Sequence, residues 1–132
     1  MKRSEELYLK WLEKAKDDMK YAKGNFGLKF YSQTCFLWQQ SAEKALKAFL
    51  FYKDQKLIKT HNLERLLEKL IFFKNEFLKL RENCQVLNDY YTDTRYPDIW
   101  DYDRFDNKKL AFQALKLAEE ILEFVEKEIK TG

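Results

Sequence analysis

One uninterrupted stretch of the sequence decides the fold. Residues 29–54 read KFYSQTCFLWQQSAEKALKAFLFYKD and contain neither Gly nor Pro. Apolar residues recur in this stretch every three or four positions, which is the spacing of one face of an α-helix. This apolar stripe consists of Tyr31, Cys35, Trp38, Ala42, Ala45, Leu46, Phe49 and Leu50. The pattern holds for more than about five turns, so we predict a long helix at the centre of the protein.

Four more helical segments lie on either side of this central one. The predicted helices span residues 4–23, 29–54, 61–73, 75–90 and 103–130. Ser4 and Thr60 are expected to cap the first and third helices, because a side-chain oxygen at this position accepts from free backbone N–H groups. Asp103 and Asp106 resemble a capping pair at the start of the last helix.

The scarcity of turn-forming residues supports the same architecture. The 132 residues include three Gly and one Pro, whereas average usage would give roughly nine and seven. Sandwiches and barrels need a turn every ~8–12 residues and are therefore disfavoured. Gly24 and Gly27 are expected to end the first helix. We predict a single all-α domain over residues 1–132, an up-and-down bundle of four to five helices.

Composition excludes several kinds of site. One histidine, His61, and two cysteines are too few for the usual Cys/His zinc sites or for c-type haem attachment. Asp98, Asp101 and Asp103 could gather a divalent cation, but they lack EF-hand spacing. No metal or cofactor is therefore expected. The net charge of +3 is too small to indicate nucleic-acid binding by itself.

The sequence also indicates where the protein resides. Its first residues, MKRSEE, turn acidic where a secretory signal would turn apolar. No apolar run approaches the ~20 residues that a membrane span requires. We expect a cytoplasmic protein with free thiols and no membrane association.

Residues 88–106, NDYYTDTRYPDIWDYDRFD, break the helical pattern. Six Asp and two Arg give this segment a net charge of −4. Pro97 fixes its own φ and favours an extended Tyr96, which predicts a rigid, non-helical element around them. Two interpretations stay open. Arg95 either presents its planar fork to a phosphate or carboxylate, with Trp100 as a stacking face, or pairs with a neighbouring Asp such as Asp98.

A resemblance to a known family appears at this point. QQSAEKALKA, residues 39–48, resembles the signature helix of HEPN domains. Three further segments occur in the family's order: WLEKA at 11–15, THNL at 60–63 and TRYPD at 94–98. The resemblance implies a compact all-α bundle that is usually a homodimer. It also implies a minimal nucleotidyltransferase as partner, in a toxin–antitoxin or related two-component system, and a nucleotide or RNA as candidate ligand.

The ribonuclease motif of the family is missing. Many HEPN proteins are metal-independent ribonucleases that use an Arg followed, after four to six residues, by a His. After Arg95 those positions hold Trp100, Asp101 and Tyr102. The arrangement thus lacks its acid–base member, which favours a non-catalytic role. The alternatives are a divergent ribonuclease that uses Arg95 with a Tyr or Asp, and a dimeric scaffold whose aromatic loop only completes the interface.

Polar residues on the central helix have two explanations. Glu43 and Lys47 form an i,i+4 pair, which a solvated helix face would explain. The resemblance implies instead that these residues and Lys44 meet the Arg95 loop or a dimer mate. His61 lies just after the expected cap, where the helix dipole favours a neutral, hydrogen-bonded structural role.

Other residues have mainly structural interpretations. Trp11 and Trp38 occupy core spacing. Lysines at 14, 16, 20 and 23 and at 53, 56 and 59 form two basic clusters, which are either solvated surface or a weak footprint for RNA or an acidic partner. We therefore expect no catalytic residues and the following ligand- or partner-binding residues: Arg95, Tyr96, Asp98, Trp100, Glu43, Lys44 and Lys47.

Overall fold

The chain folds into helices, as predicted. The structure, a computed structural model, describes the backbone over residues 2–93 and 107–131 and the side chains over 5–90 and 107–131. Within these ranges there are five α-helices, one 3₁₀ helix and no strand. The α-helices are α1 (Lys2–Gly27), α2 (Tyr31–Tyr52), α3 (Leu63–Phe73), α4 (Arg81–Asp93) and α5 (Lys108–Thr131), and the 3₁₀ helix is Asn75–Leu80. This confirms the all-α prediction.

α2 is the central helix, as its unbroken apolar stripe predicted. Fifteen of its 22 residues are buried, which requires neighbours on several sides. α1 packs antiparallel to it, because Tyr8 near the start of α1 contacts Tyr52 at the end of α2, with ring centroids 5.2 Å apart. α5 runs parallel to α2. Trp38 binds Ala111 near the starts of both helices.

A cluster of aromatic rings closes the other end of the core. Phe77 of the 3₁₀ helix lies edge-on to both Phe49 of α2 and Phe124 of α5, with centroids 4.8 Å apart in each pair. Edge-to-face pairs of this kind add to the free energy gained from burial alone. The 3₁₀ helix thus packs against the C-terminal parts of both α2 and α5.

Helix ends differ from the predicted ones where the backbone changes conformation. α1 continues through Gly24 to Gly27, and the Leu28 N–H still donates to the Gly24 carbonyl. α2 begins at Tyr31 because Lys29 has φ of 68°, a left-handed conformation that a helix does not tolerate. The single helix predicted over 75–90 is wrong in its first part. Extended backbone at Lys74 is followed by a tighter 3₁₀ turn.

The cap of α3 is Asn62 and not Thr60. The Asn62 side-chain oxygen accepts from the backbone N–H groups of Glu64 and Arg65, at 3.0 and 3.2 Å. Thr60 precedes Asn62 by two residues, and its hydroxyl oxygen accepts from the Asn62 backbone N–H at 3.1 Å. The predicted capping pair Asp103 and Asp106 lies outside the described residues. At the start of α5, the Asn107 side chain accepts from the Leu110 N–H at 3.1 Å.

Both cysteines are buried, and they are thiols rather than halves of a disulfide, as expected. Burial raises the pKa of Cys35 and of Cys84 from 9.0 to about 12. We expect neither thiol to react with a disulfide reagent in the folded protein at about pH 8, because the thiolate is the reactive form. The unfolded protein should react at both positions. Rapid modification of the folded chain would contradict this prediction.

The same pKa shifts predict how stability depends on pH. The folded thiols hold their protons more tightly than the unfolded ones. Their contribution to stability is thus fully present below about pH 9 and is lost as the pH rises towards 12.

Within the described residues, no helix is both long and apolar enough to cross a bilayer.

Candidate functional site

The centre of the candidate site is an ion pair buried on α2. Glu43 is 3% exposed and Lys47 is 5% exposed, and the Lys47 Nζ lies 2.8 Å from the Glu43 Oε2. The interpretation of this pair as part of a solvated face is therefore wrong. The i,i+4 spacing does place both side chains on one face, but Trp11 of α1 and His61 of the 53–62 connection cover that face.

Polar side chains complete the shell around Glu43. The His61 Nδ1 lies 3.0 Å from the Glu43 Oε1. Gln40 donates to the same Oε1 at 3.4 Å and to the Gln39 Oε1 at 2.7 Å. Gln39 is fully buried and donates in turn to the His61 backbone carbonyl at 3.0 Å. We call Gln39, Gln40, Glu43, Lys47 and His61 the Glu43 cluster.

His61 differs in part from its expected role. The expected hydrogen bond is present, in this case to Glu43. However, His61 precedes the cap Asn62, and its side chain is 53% exposed. His61 thus joins the surface to the buried cluster.

Lys44 and Trp11 form a second part of the site. Lys44 pairs with Asp18 of α1, a buried carboxylate that the sequence analysis missed. Asp18 follows Ala15 by three residues and precedes Met19, two buried apolar residues of α1, and this helical spacing was a usable signal of its burial. Trp38 is fully buried as predicted, whereas Trp11 is only partly buried, so its assignment to the core is wrong.

Trp11 lies where the charged cluster meets solvent. Its ring stacks on Phe51 with centroids 6.0 Å apart, and the Lys47 Nζ lies 5.6 Å from the ring centroid. The indole also borders an open depression of about 410 Å³, together with Lys10, Lys14 and Lys44. An ammonium above an indole face is stabilised by the ring quadrupole, which helps to hold Lys47 in position.

Four of the predicted site residues cannot be placed. Arg95, Tyr96, Asp98 and Trp100 lie outside the described residues. The described chain on either side of that segment does approach the Glu43 cluster. On the α4 side, the Asn88 side-chain oxygen accepts from the Leu63 backbone N–H at 2.6 Å. Leu63 follows His61 by two residues.

The α5 side approaches the same cluster. The Trp38 Nε1 donates to the backbone carbonyl of Ala111 in α5 at 2.9 Å. Trp38 directly precedes Gln39, a member of the cluster. Both flanks of the 94–106 segment are thereby attached next to members of the cluster.

Among the described side chains, no three His, Cys, Asp or Glu residues are grouped as a metal site would require.

The fold and this site define a small all-α protein that has a charged cluster on its central helix. The model of the HEPN domain family matches residues 8–128, nearly the whole chain. The chain belongs to the HEPN domain family. This confirms the resemblance noted in the sequence.

Solved structures agree with the family assignment. Protein TT1696 of Thermus thermophilus is 36% identical, with a TM-score of 0.84 over 96% of this chain and 98% of that one. ST0689, an archaeal HEPN homologue, is 27% identical, with a TM-score of 0.76 over 92% and 97%. An HEPN domain protein from Thermotoga maritima, TM0613, is 24% identical, with a TM-score of 0.74 over 91% and 97%, and shows the fold alone. No curated protein matches the chain.

Proposed function

We propose that this HEPN protein is a non-catalytic binding protein, the cytoplasmic homodimeric partner of a minimal nucleotidyltransferase in a toxin–antitoxin-like system. We further propose that it binds a phosphate of a nucleotide or RNA beside the Glu43 cluster. The observation that supports this most directly is the buried Glu43 carboxylate, held between Lys47 and His61 where both flanks of the 94–106 segment are attached.

A buried ion pair of this kind is more readily explained by function than by stability. Removing two charges from water costs several kcal/mol per ion, and well-packed apolar residues often stabilise a core equally well. Glu43 holds both Lys47 and His61, so it keeps an ammonium and an imidazole in fixed orientations. Groups that are already fixed lower the entropy lost when a ligand binds.

The 94–106 segment supplies the remaining groups in this proposal. Arg95 donates charge-assisted hydrogen bonds to a phosphate or to a partner carboxylate, and Asp98 orients it. Tyr96 and Trp100 offer faces on which a base can stack. The chain lacks a His at positions 100 to 102, where the family's motif would place it after Arg95, and His61 is turned towards Glu43. Both observations favour binding over cleavage.

The test uses the reading frame next to this gene, which the proposal predicts to encode a minimal nucleotidyltransferase. The two proteins are co-expressed and purified through a tag on one of them. We expect the two proteins to copurify and the purified HEPN protein to bind labelled ATP or GTP. Arg95→Ala should weaken the complex or nucleotide binding at least tenfold. Arg81→Ala is the matched control, because Arg81 forms an exposed pair with Glu68 at 2.7 Å on another face.

Each other result contradicts the proposal in a distinct way. RNA cleavage by the purified protein that disappears in Arg95→Ala would identify a divergent ribonuclease. Loss of the dimer in Arg95→Ala, with neither partner nor nucleotide bound by the parent protein, would identify a scaffold. Equal binding by the parent, Arg95→Ala and Arg81→Ala proteins would place the site elsewhere.

A further inference from the structure

One end of the bundle concentrates positive charge. Two segments meet there, residues 19–42 and 107–118, and neither contains an Asp or Glu. The Phe26 and Phe112 rings bring the segments together, with centroids 6.4 Å apart. The two segments carry six lysines: Lys20, Lys23, Lys29, Lys108, Lys109 and Lys116. We call this surface the basic end.

These lysines are poorly neutralised by the rest of the protein. Among the described side chains, Lys23 is the one of the six that lies within ion-pair distance of a carboxylate, 3.3 Å from Glu119. The 94–106 segment, with four Asp and two Arg, has a net charge of only −2, which is smaller than the five positive charges that remain after the Lys23 pair. The basic end therefore keeps a positive potential.

Two helix starts add to this potential. α2 and α5 both begin at the basic end, and neither has an acidic residue in its first turn. The α2 cap residue, Phe30, provides no side-chain hydrogen bond to the first N–H groups. The start of a helix carries a partial positive charge, so Lys29, Lys108 and Lys109 are placed unfavourably in the free protein. A bound anion would relieve this repulsion.

Exposed apolar side chains are interleaved with the lysines. Leu28 is 66% exposed, Phe30 is 55% exposed and Phe112 is 46% exposed. The Lys116 Nζ lies 5.2 Å from the Phe112 ring centroid, which places a cation beside an accessible aromatic face. Single-stranded nucleic acids are bound by this combination, in which bases stack on rings and cations contact the backbone phosphates.

We propose that the basic end binds single-stranded nucleic acid without sequence preference. Lys29, Lys108 and Lys109 contact phosphates, and bases stack on Phe30 and Phe112. The two rings lie on separate elements, the α1–α2 turn and the flank of α5, which suits successive bases better than insertion into a bilayer. These five binding residues lie outside the Glu43 cluster, so the proposal holds whether or not the chain pairs with a nucleotidyltransferase.

The probe for the test is a fluorescein-labelled oligouridine of about 20 nucleotides, titrated with the full chain and followed by fluorescence anisotropy. Three phosphate contacts predict that Kd rises roughly twentyfold between about 50 and 200 mM KCl. The variant K29E/K108E/K109E should bind at least tenfold more weakly. Phe30→Ala should weaken binding roughly tenfold with the salt dependence unchanged, because it removes a stacking face and no charge.

A matched charge control separates this surface from general electrostatics. The variant K69E/K127E/K130E makes the same change in net charge at exposed lysines that lie outside both segments and outside the two basic clusters of the sequence. It should keep more than half of the affinity, and circular dichroism checks that all variants fold. No binding at low salt, or an equal loss in both triple variants, would overturn the proposal. Binding to phosphatidylglycerol vesicles but not to oligouridine would also overturn it and identify a membrane-binding surface.

Discussion

Glu43→Ala is expected to lower the free energy of unfolding by about 3–5 kcal/mol. The substitution removes the carboxylate that binds both Lys47 and His61 and leaves the Lys47 ammonium buried without its counter-ion. An uncompensated buried charge is among the most destabilising changes a single substitution can make. Urea denaturation monitored by circular dichroism measures the effect.

Two comparisons test whether burial is the cause. Glu43→Leu combined with Lys47→Met removes both charges, so it should be less destabilising than Glu43→Ala alone. Glu126→Ala breaks the pair with Lys16, which has a similar separation of 2.8 Å but lies at the surface. That change should lower the free energy of unfolding by less than about 1 kcal/mol. A loss below about 1 kcal/mol for Glu43→Ala as well would contradict the buried ion pair.

Trp38→Ala is expected to lower the free energy of unfolding by about 3–5 kcal/mol as well. Trp38 is the largest fully buried side chain in the described structure, so its truncation leaves a cavity between α2 and α5. Its Nε1 also satisfies the Ala111 carbonyl at 2.9 Å. Thermal or urea denaturation measures the loss.

Trp38→Phe separates the two contributions to this effect. Phenylalanine keeps most of the apolar contact but cannot donate to the Ala111 carbonyl, which should leave a loss of roughly 1–3 kcal/mol. Trp11→Ala is the surface comparison. It should cost less than Trp38→Ala because the Trp11 ring is already partly solvated. If both tryptophans proved equally important, the assignment of the core would be wrong.

Much of the fold could be predicted because it depends on local patterns. The apolar stripe from Tyr31 to Leu50 identified α2 as the central helix. The precise helix ends were less predictable, since they depend on single backbone conformations. Lys29 adopts a left-handed φ of 68°, and Asn62 instead of Thr60 reaches the first N–H groups of α3. The residue types at these helix ends, Lys at position 29 and Thr and Asn at positions 60 and 62, do not by themselves select one backbone conformation.

The candidate site was predictable in its residues but not in its arrangement. Glu43, Lys44 and Lys47 were identified from their positions on the signature helix. Their spacing alone could not distinguish a solvated face from a buried one, because an i,i+4 pair looks the same in both. Only the packing of α1 and the 53–62 connection against α2 buries the pair. Asp18 was missed for the same reason, since its partner Lys44 is 26 residues away.

The sequence by itself determined the helical class, the central helix, the family and the missing Arg-to-His motif. These properties follow from residue type and short-range spacing, which a chain carries before it folds. The tertiary structure alone decided which charges are buried, which tryptophan is covered and where lysines accumulate without carboxylates. Those properties depend on residues far apart in sequence, such as Phe26 and Phe112, that become neighbours only when the helices pack.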